Sequence, residues 1–187
     1  MRELEQHLAN SGDGRVVWTS SVTSDRSCFD LEDWQGINNP TPYESSKWAC
    51  DLLAIASNQL FEKRKLPITS FTTSPGVASS GIGNFPLWVV QGRTPMHLLF
   101  RLFGVTSQNV SGYNAAGGDA AVTSQKLDDL DYHCRYSSMT DRWGTPYVEA
   151  HEVTGYDPIE AGILLRKCEN AYRESKTDYR ANAIKLV

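Results

Sequence analysis

Apolar positions along the chain fall into two rhythms, short continuous runs and longer stretches spaced at helical intervals. Leu4 and Leu8 share one face of a helix that ends near Asn10, and Ser11-Gly12-Asp13-Gly14 stops it. Arg15 to Ser20 is a short apolar run around Val16, Val17 and Trp18, which predicts a buried strand. Residues 22–41 are polar and rich in turn formers, a loop with one helical turn at Leu31–Gln35. Pro42 suits the first turn of a helix, and Trp48, Leu52, Leu53, Ile55, Ala56 and Leu60 give that helix its apolar stripe as far as Lys63. Pro67 to Thr73 then reads as a second strand. Two strands separated by a helix of this length imply a parallel crossover.

The second half of the chain is less regular. Phe85 to Val105 is aromatic and apolar, but Gln91, Gly92, Arg93, Pro95, His97 and Arg101 interrupt it. A spanning helix needs about 20 mostly apolar residues, so these interruptions argue against one. Asn114 to Leu130 is weakly helical, with Gly117-Gly118 near its start. Tyr132 to Ser137 reads as a last short strand. Pro158 to Ser175 is the closing helix, with Ile159, Ile163, Leu164, Ala171 and Tyr172 on its inner side. The class predicted is α/β, a parallel sheet with flanking helices in one domain over residues 1–187, without internal repeats.

Composition narrows the functional classes. Charged residues make up 21% and the formal net charge is −4, so the chain has no footprint for nucleic acid. Cys28, Cys50, Cys134 and Cys168 show no Cys-x-x-Cys spacing and fit a reduced protein best. His7, His97, His133 and His151 form no His-x-x-x-His pair, so no metal site is expected. The first residues, Met1-Arg2-Glu3-Leu4-Glu5, are charged and do not read as a signal peptide. Asn109-Val110-Ser111 matches a glycosylation triplet, a common pattern with little weight here.

The chemistry concentrates in Tyr43-Glu44-Ser45-Ser46-Lys47. A tyrosine and a lysine four apart on a helix lie one turn apart on one face. An ammonium beside a phenol favours the phenolate by charge attraction. Such a phenol can give a proton to a carbonyl oxygen or take one from an alcohol. Upstream, the first strand runs into Ser20-Ser21, whose hydroxyl can hold the same oxygen. Downstream, the second strand runs into Ser74-Pro75-Gly76-Val77.

This order of strand with serine, Tyr-x-x-x-Lys helix and strand with Pro-Gly resembles the C-terminal half of a short-chain dehydrogenase/reductase. Val16-Val17-Trp18-Thr19-Ser20-Ser21, Leu31-Glu32-Asp33-Trp34-Gln35 and Pro42-Tyr43-Glu44-Ser45-Ser46-Lys47 narrow it to the 3-keto-steroid reductase branch. Most of the superfamily keeps the serine nearer the tyrosine, and this branch shares the long loop found here. Arg142-Trp143-Gly144 and Lys167-Cys168-Glu169 also resemble its fungal members. The likeness is strongest over residues 14–80.

The resemblance implies a Rossmann-type sheet and reduction of a sterol C-3 ketone with NADPH. Tyr43 would be the general acid, Lys47 would tune it and hold the nicotinamide ribose, and Ser21 would orient the substrate beside its structural neighbour Ser20. Pro75, Gly76 and Val77 match the loop that meets the nicotinamide carboxamide, and Ser80 stands where relatives often carry a threonine. Residues 85–105 would form either a lid over an apolar sterol pocket or a face resting in a membrane interface. Trp18 and Trp48 are read as core residues.

The implied setting is the cytosolic face of the endoplasmic reticulum or a lipid droplet, beside other enzymes of sterol synthesis. The glycine turn that holds a pyrophosphate is not found. Gly12-Asp13-Gly14 precedes a strand, and Gly81-Ile82-Gly83 follows the Pro-Gly loop. The chain is therefore expected to lack the N-terminal nucleotide-binding strands, and a truncated, non-catalytic remnant or scaffold is the alternative.

Overall fold

The computed structural model describes residues 4–78, 87–109 and 112–184. In chain order it contains α1 (Glu5–Asn10), β1 (Gly14–Thr19), α2 (Pro42–Lys63), β2 (Ile68–Ser74), β3 (Val77–Ala78) and α3 (Leu87–Leu102). There follow β4 (Gln108–Asn109), α4 (Gly112–Ala115), α5 (Gly117–Ser124), β5 (Cys134–Thr140), β6 (Pro146–Glu152) and α6 (Pro158–Ile184). Four strands form the main sheet in the order β1-β2-β5-β6, and β3 pairs with β4 in a small parallel ladder of its own.

The three expected strands are present, parallel and adjacent in chain order. β1 lies beside β2 in register from Gly14↔Ile68 to Thr19↔Thr73, and β2 meets β5 from Thr72↔Arg135 to Ser74↔Ser137. The α/β class with parallel strands and flanking helices therefore holds. Helix α2 makes the crossover between β1 and β2 and runs from Pro42 to Lys63, the bounds its sequence implies.

Helices cover both faces of the sheet around β2, so its buried positions are apolar or, Thr72 apart, hydrogen-bonded among the described residues. Phe71 and Tyr136 pack edge to face at 6.3 Å and bury Val122 of α5 with them. On the other face Trp48, Leu52, Ile55 and Ala56 of α2 close a core with Phe29, Val153, Ala161 and Leu164. Asn58 of α2 is buried against β2, where its side chain donates to the Ser70 carbonyl at 2.8 Å and accepts from the Ser70 amide at 2.6 Å. Helix α5 sits so close to β5 that a Cβ at Gly118 would come within 2.6 Å of the Tyr136 carbonyl oxygen.

Several sequence readings need correction. Tyr132–Ser137 is not the last strand, since β6 pairs antiparallel with the whole of β5, from Cys134↔Glu152 to Thr140↔Pro146. Tyr147, Val148, Glu149, Ala150, His151 and Glu152 are mostly exposed and lack the apolar alternation that marks a half-buried strand. The turn Asp141–Thr145 joins the two strands, with the Asp141 side chain accepting from the Trp143 and Thr145 amides and Gly144 at a φ of 98°. Ile159 and Tyr172 are exposed rather than inward on α6, where Ala161 and Leu164 are the buried positions.

Further departures lie in α3, in β1 and in the loop that follows β1. Leu87–Leu102 forms one helix although Pro95 lies inside it. Trp18 is only half-buried, its indole donating to the Ser70 hydroxyl at 3.0 Å, whereas Trp48 is a core residue as expected. The expected helical turn at Leu31–Gln35 is a hydrogen-bonded turn, and a short 3-10 helix stands earlier at Arg26–Cys28. Among the described residues no helix is long and apolar enough to cross a membrane.

Candidate active site

The C-terminal ends of β1 and β2 and the N-terminal turns of α2 meet at one end of the sheet. In open α/β sheets ligands bind outside these carboxyl ends. The Ser20 amide closes the β1–β2 ladder on the Thr73 carbonyl at 2.7 Å. The Ser20 hydroxyl, fully buried, donates to the Lys47 carbonyl at 3.1 Å. Ser20 thus ties the strand end to the helix, and its neighbour Ser21 turns the other way. The Ser21 hydroxyl shares a 3.0 Å hydrogen bond with the Thr23 hydroxyl and accepts from the Thr23 amide at 3.2 Å.

Tyr43 and Lys47 share a face of α2, as their spacing requires. The Lys47 Nζ stands 5.5 Å from the centre of the Tyr43 ring, and Tyr43 is 54% exposed, so the ring is presented to solvent at the site. The same Nζ donates to the Thr19 carbonyl at 2.9 Å. The Ser20 amide points at β2, and a planar trans peptide sends the Thr19 carbonyl the opposite way, toward the outer edge of β1. Lys47 therefore caps an edge carbonyl while lying over the tyrosine.

The loop after β2 leaves the sheet at this same end. Gly76 has a φ of 68°, a left-handed conformation that glycine adopts without strain. The Val77 amide donates to the Ser107 carbonyl at 2.8 Å and is already engaged in this arrangement. Ser80 and Gly81-Ile82-Gly83 lie outside the described residues.

Behind the site is a buried ion pair that sequence reasoning passed over. Asp51 of α2, wholly buried, accepts from Arg135 Nη2 at 2.7 Å and from the Ser24 hydroxyl at 2.5 Å. Burial pushes the Asp51 carboxyl up from its usual range, against the pull of the Arg135 guanidinium and the hydroxyls. Arg135 also donates to the Ser21 carbonyl at 2.9 Å. One signal was available: Asp51 follows Lys47 by one helical turn on a face otherwise filled by Trp48, Leu52 and Ile55. A carboxylate there needs a partner.

The parallel order β1-β2-β5, the helices on both faces and the placement of Tyr43 and Lys47 define part of a Rossmann-type short-chain dehydrogenase/reductase. Within that class the chain is a homologue of the 3-keto-steroid reductases, as its motifs suggested. It is 33% identical over 182 residues to the 3-keto-steroid reductase of Yarrowia lipolytica, covering 94% of this chain and 51% of that protein. It is 35% identical over 156 residues to the rat 3-keto-steroid reductase/17-beta-hydroxysteroid dehydrogenase 7, covering 82% of this chain and 46% of that protein. Against the 3-keto-steroid reductase of Saccharomyces cerevisiae the identity is 31% over 163 residues, covering 84% and 46%. The chain thus spans about half the length of these relatives. No family model matches it.

Proposed function

We propose that this chain carries the ketone-reducing end of a sterol 3-ketone reductase that works with NADPH. The observation that supports this most directly is the Lys47 ammonium over the Tyr43 ring, beside the serine pair that ends β1. In this reading Tyr43 gives its phenolic proton to the ketone oxygen, and Ser21 donates a hydrogen bond that holds the oxygen in place. Lys47 stabilises the phenolate left behind and reaches the nicotinamide ribose. NADPH, when bound, supplies the hydride to the C-3 carbon. The alcohol product then carries one hydrogen from the cofactor and one from Tyr43.

The residues present fit the nicotinamide end of such a cofactor. Gly76 bears no Cβ at the end of β2 and lets a planar ring approach the backbone there. Pro75, Gly76 and Val77 would line that approach. With its amide turned to Ser107, Val77 would offer its carbonyl or reorient.

Helix α3 and the residues after it expose Met96, Leu98, Leu99, Phe100, Leu102, Phe103 and Val105. A sterol lid or a membrane-interface face accounts for so apolar a surface, and either suits a water-insoluble ketone. The cytosolic face of a sterol-synthesising membrane or a lipid droplet is the setting proposed.

The test is to incubate the purified chain with NADPH and a 3-ketosteroid, following NADPH consumption and alcohol formation. Product that disappears in Tyr43→Phe, with stability unchanged within about 0.5 kcal/mol, is the expected result for an exposed hydroxyl. Absence of both product and saturable quenching of NADPH fluorescence would instead support a non-catalytic scaffold.

A further inference from the structure

Asp51 does not touch the Ser21 side chain, yet it brackets the segment that carries it. On one side Asp51 holds Arg135, whose Nη1 donates to the Ser21 carbonyl at 2.9 Å. On the other it accepts from the Ser24 hydroxyl at 2.5 Å. Between these two anchors the chain turns on itself. The Ser24 amide donates to the Ser21 carbonyl at 3.2 Å, and the Thr23 amide donates to the Ser21 hydroxyl oxygen at 3.2 Å. Arg135 comes from β5, two strands away from β1, so three elements converge on this turn.

A buried ion pair is a weak argument for stability, because removing two charges from water costs about what their attraction returns. What the pair does provide is direction. A guanidinium held through Nε and Nη2 by a carboxylate on a helix has its Nη1 aimed at one place. Here that place is the backbone of Ser21. We propose that Asp51 is a positioning residue that, through Arg135 and Ser24, fixes the Ser21–Ser24 turn and thereby aims the Ser21 hydroxyl. The catalytic consequence rests on the reductase reading above, whereas the positioning itself is measurable without turnover.

The Thr23 and Ser24 amides report directly on the Ser21 hydroxyl and carbonyl. Their hydrogen exchange is measured by NMR in the whole chain for Asp51→Asn and Ser24→Ala. Leu164→Ala, a core deletion in α6 remote from this turn, serves as a control for general destabilisation. At matched global stability, set by the exchange of the Phe71 amide, Thr23 and Ser24 should exchange about tenfold faster in Asp51→Asn than in the control. Ser24→Ala should show a smaller acceleration of the same sign, and it carries the test alone if Asp51→Asn does not fold. Equal exchange in the variants and the control would overturn the proposal and leave Asp51 a structural residue. Where turnover is present, kcat should fall in Ser24→Ala while KM for NADPH holds. A folded wild-type chain without turnover counts against the reductase reading, and the exchange result still decides the positioning.

Discussion

The Lys47 ammonium donates to the Thr19 carbonyl at 2.9 Å, on the edge of β1 that faces away from β2. One side chain is thereby shared between the sheet and the tyrosine it overlies. Thr19 is exposed, so water can replace Lys47 at that carbonyl with little loss. Lys47→Met should lower the unfolding free energy by less than about 1 kcal/mol in urea denaturation, the range of exposed polar pairs. Under the proposed function, ketosteroid reduction should be lost in the same protein. A drop of several kcal/mol would make Lys47 a structural clamp.

Asn58 acts as a substitute strand partner for Ser70, a residue that β5 does not reach because its pairing with β2 starts at Thr72. Replacing Asn58 by Ala leaves a buried N–H and a buried C=O without partners. The expected cost is roughly 3 kcal/mol, measured as a lower urea midpoint with an unchanged slope. A cost under about 1 kcal/mol would show that water enters and takes over both bonds.

Thr72, wholly buried on the central strand, has a hydroxyl with no hydrogen-bond partner among the described residues. Valine has nearly the same shape and no such oxygen. Thr72→Val should therefore raise stability by about 1 kcal/mol, or roughly 3 °C in melting temperature for a chain of this size. An unchanged or lower melting temperature would point to a water at that oxygen.

The β5–β6 turn gives the chain a pH-sensitive corner. Hydrogen bonds from the Thr145, Trp143 and Gly144 amides hold the Asp141 carboxyl below its usual pKa. A carboxyl depressed in the folded state stabilises the fold above its unfolded pKa of about 3.9, and that contribution fades as pH falls through the lower folded value. Asp141→Asn should flatten this part of the acid limb when melting temperature is followed from neutral to acid pH. An unaltered limb would assign the acid sensitivity to other groups, Asp13 and Asp131 first, since both are also depressed.

Much of this was legible in the chain because the relevant signals are local. The bounds of α2 follow from Pro42 and an apolar stripe, and the strand order follows from the parallel crossover and the family likeness. The pairing of Tyr43 with Lys47 follows from helical spacing alone. What escaped either carries no periodic mark or depends on contacts distant in sequence. β6 is recognisable only by its ladder with β5, since its side chains face solvent and carry no periodic mark. Arg135 reaches Ser21 from across the sheet, and no spacing rule joins them. Ile159 fits the apolar pattern of α6 but is exposed, while Ala161 two residues on is the buried position of that turn.

Helix α2 carries Tyr43, Lys47, Asp51 and Asn58 on one uninterrupted rod, with roughly 22 Å of axis between the tyrosine and the asparagine. Asn58 moors the far end of that rod to the middle of the sheet, while Ser20 and Lys47 moor the near end to the tip of β1. Tyr43 thus inherits its location from the helix and the sheet and owes nothing to the segment around α3. That segment, unlike the Ser21–Ser24 turn, is free to lengthen, shorten or change character in descent without displacing Tyr43. A lineage of such proteins can retune which molecule it accepts and leave its reacting end untouched.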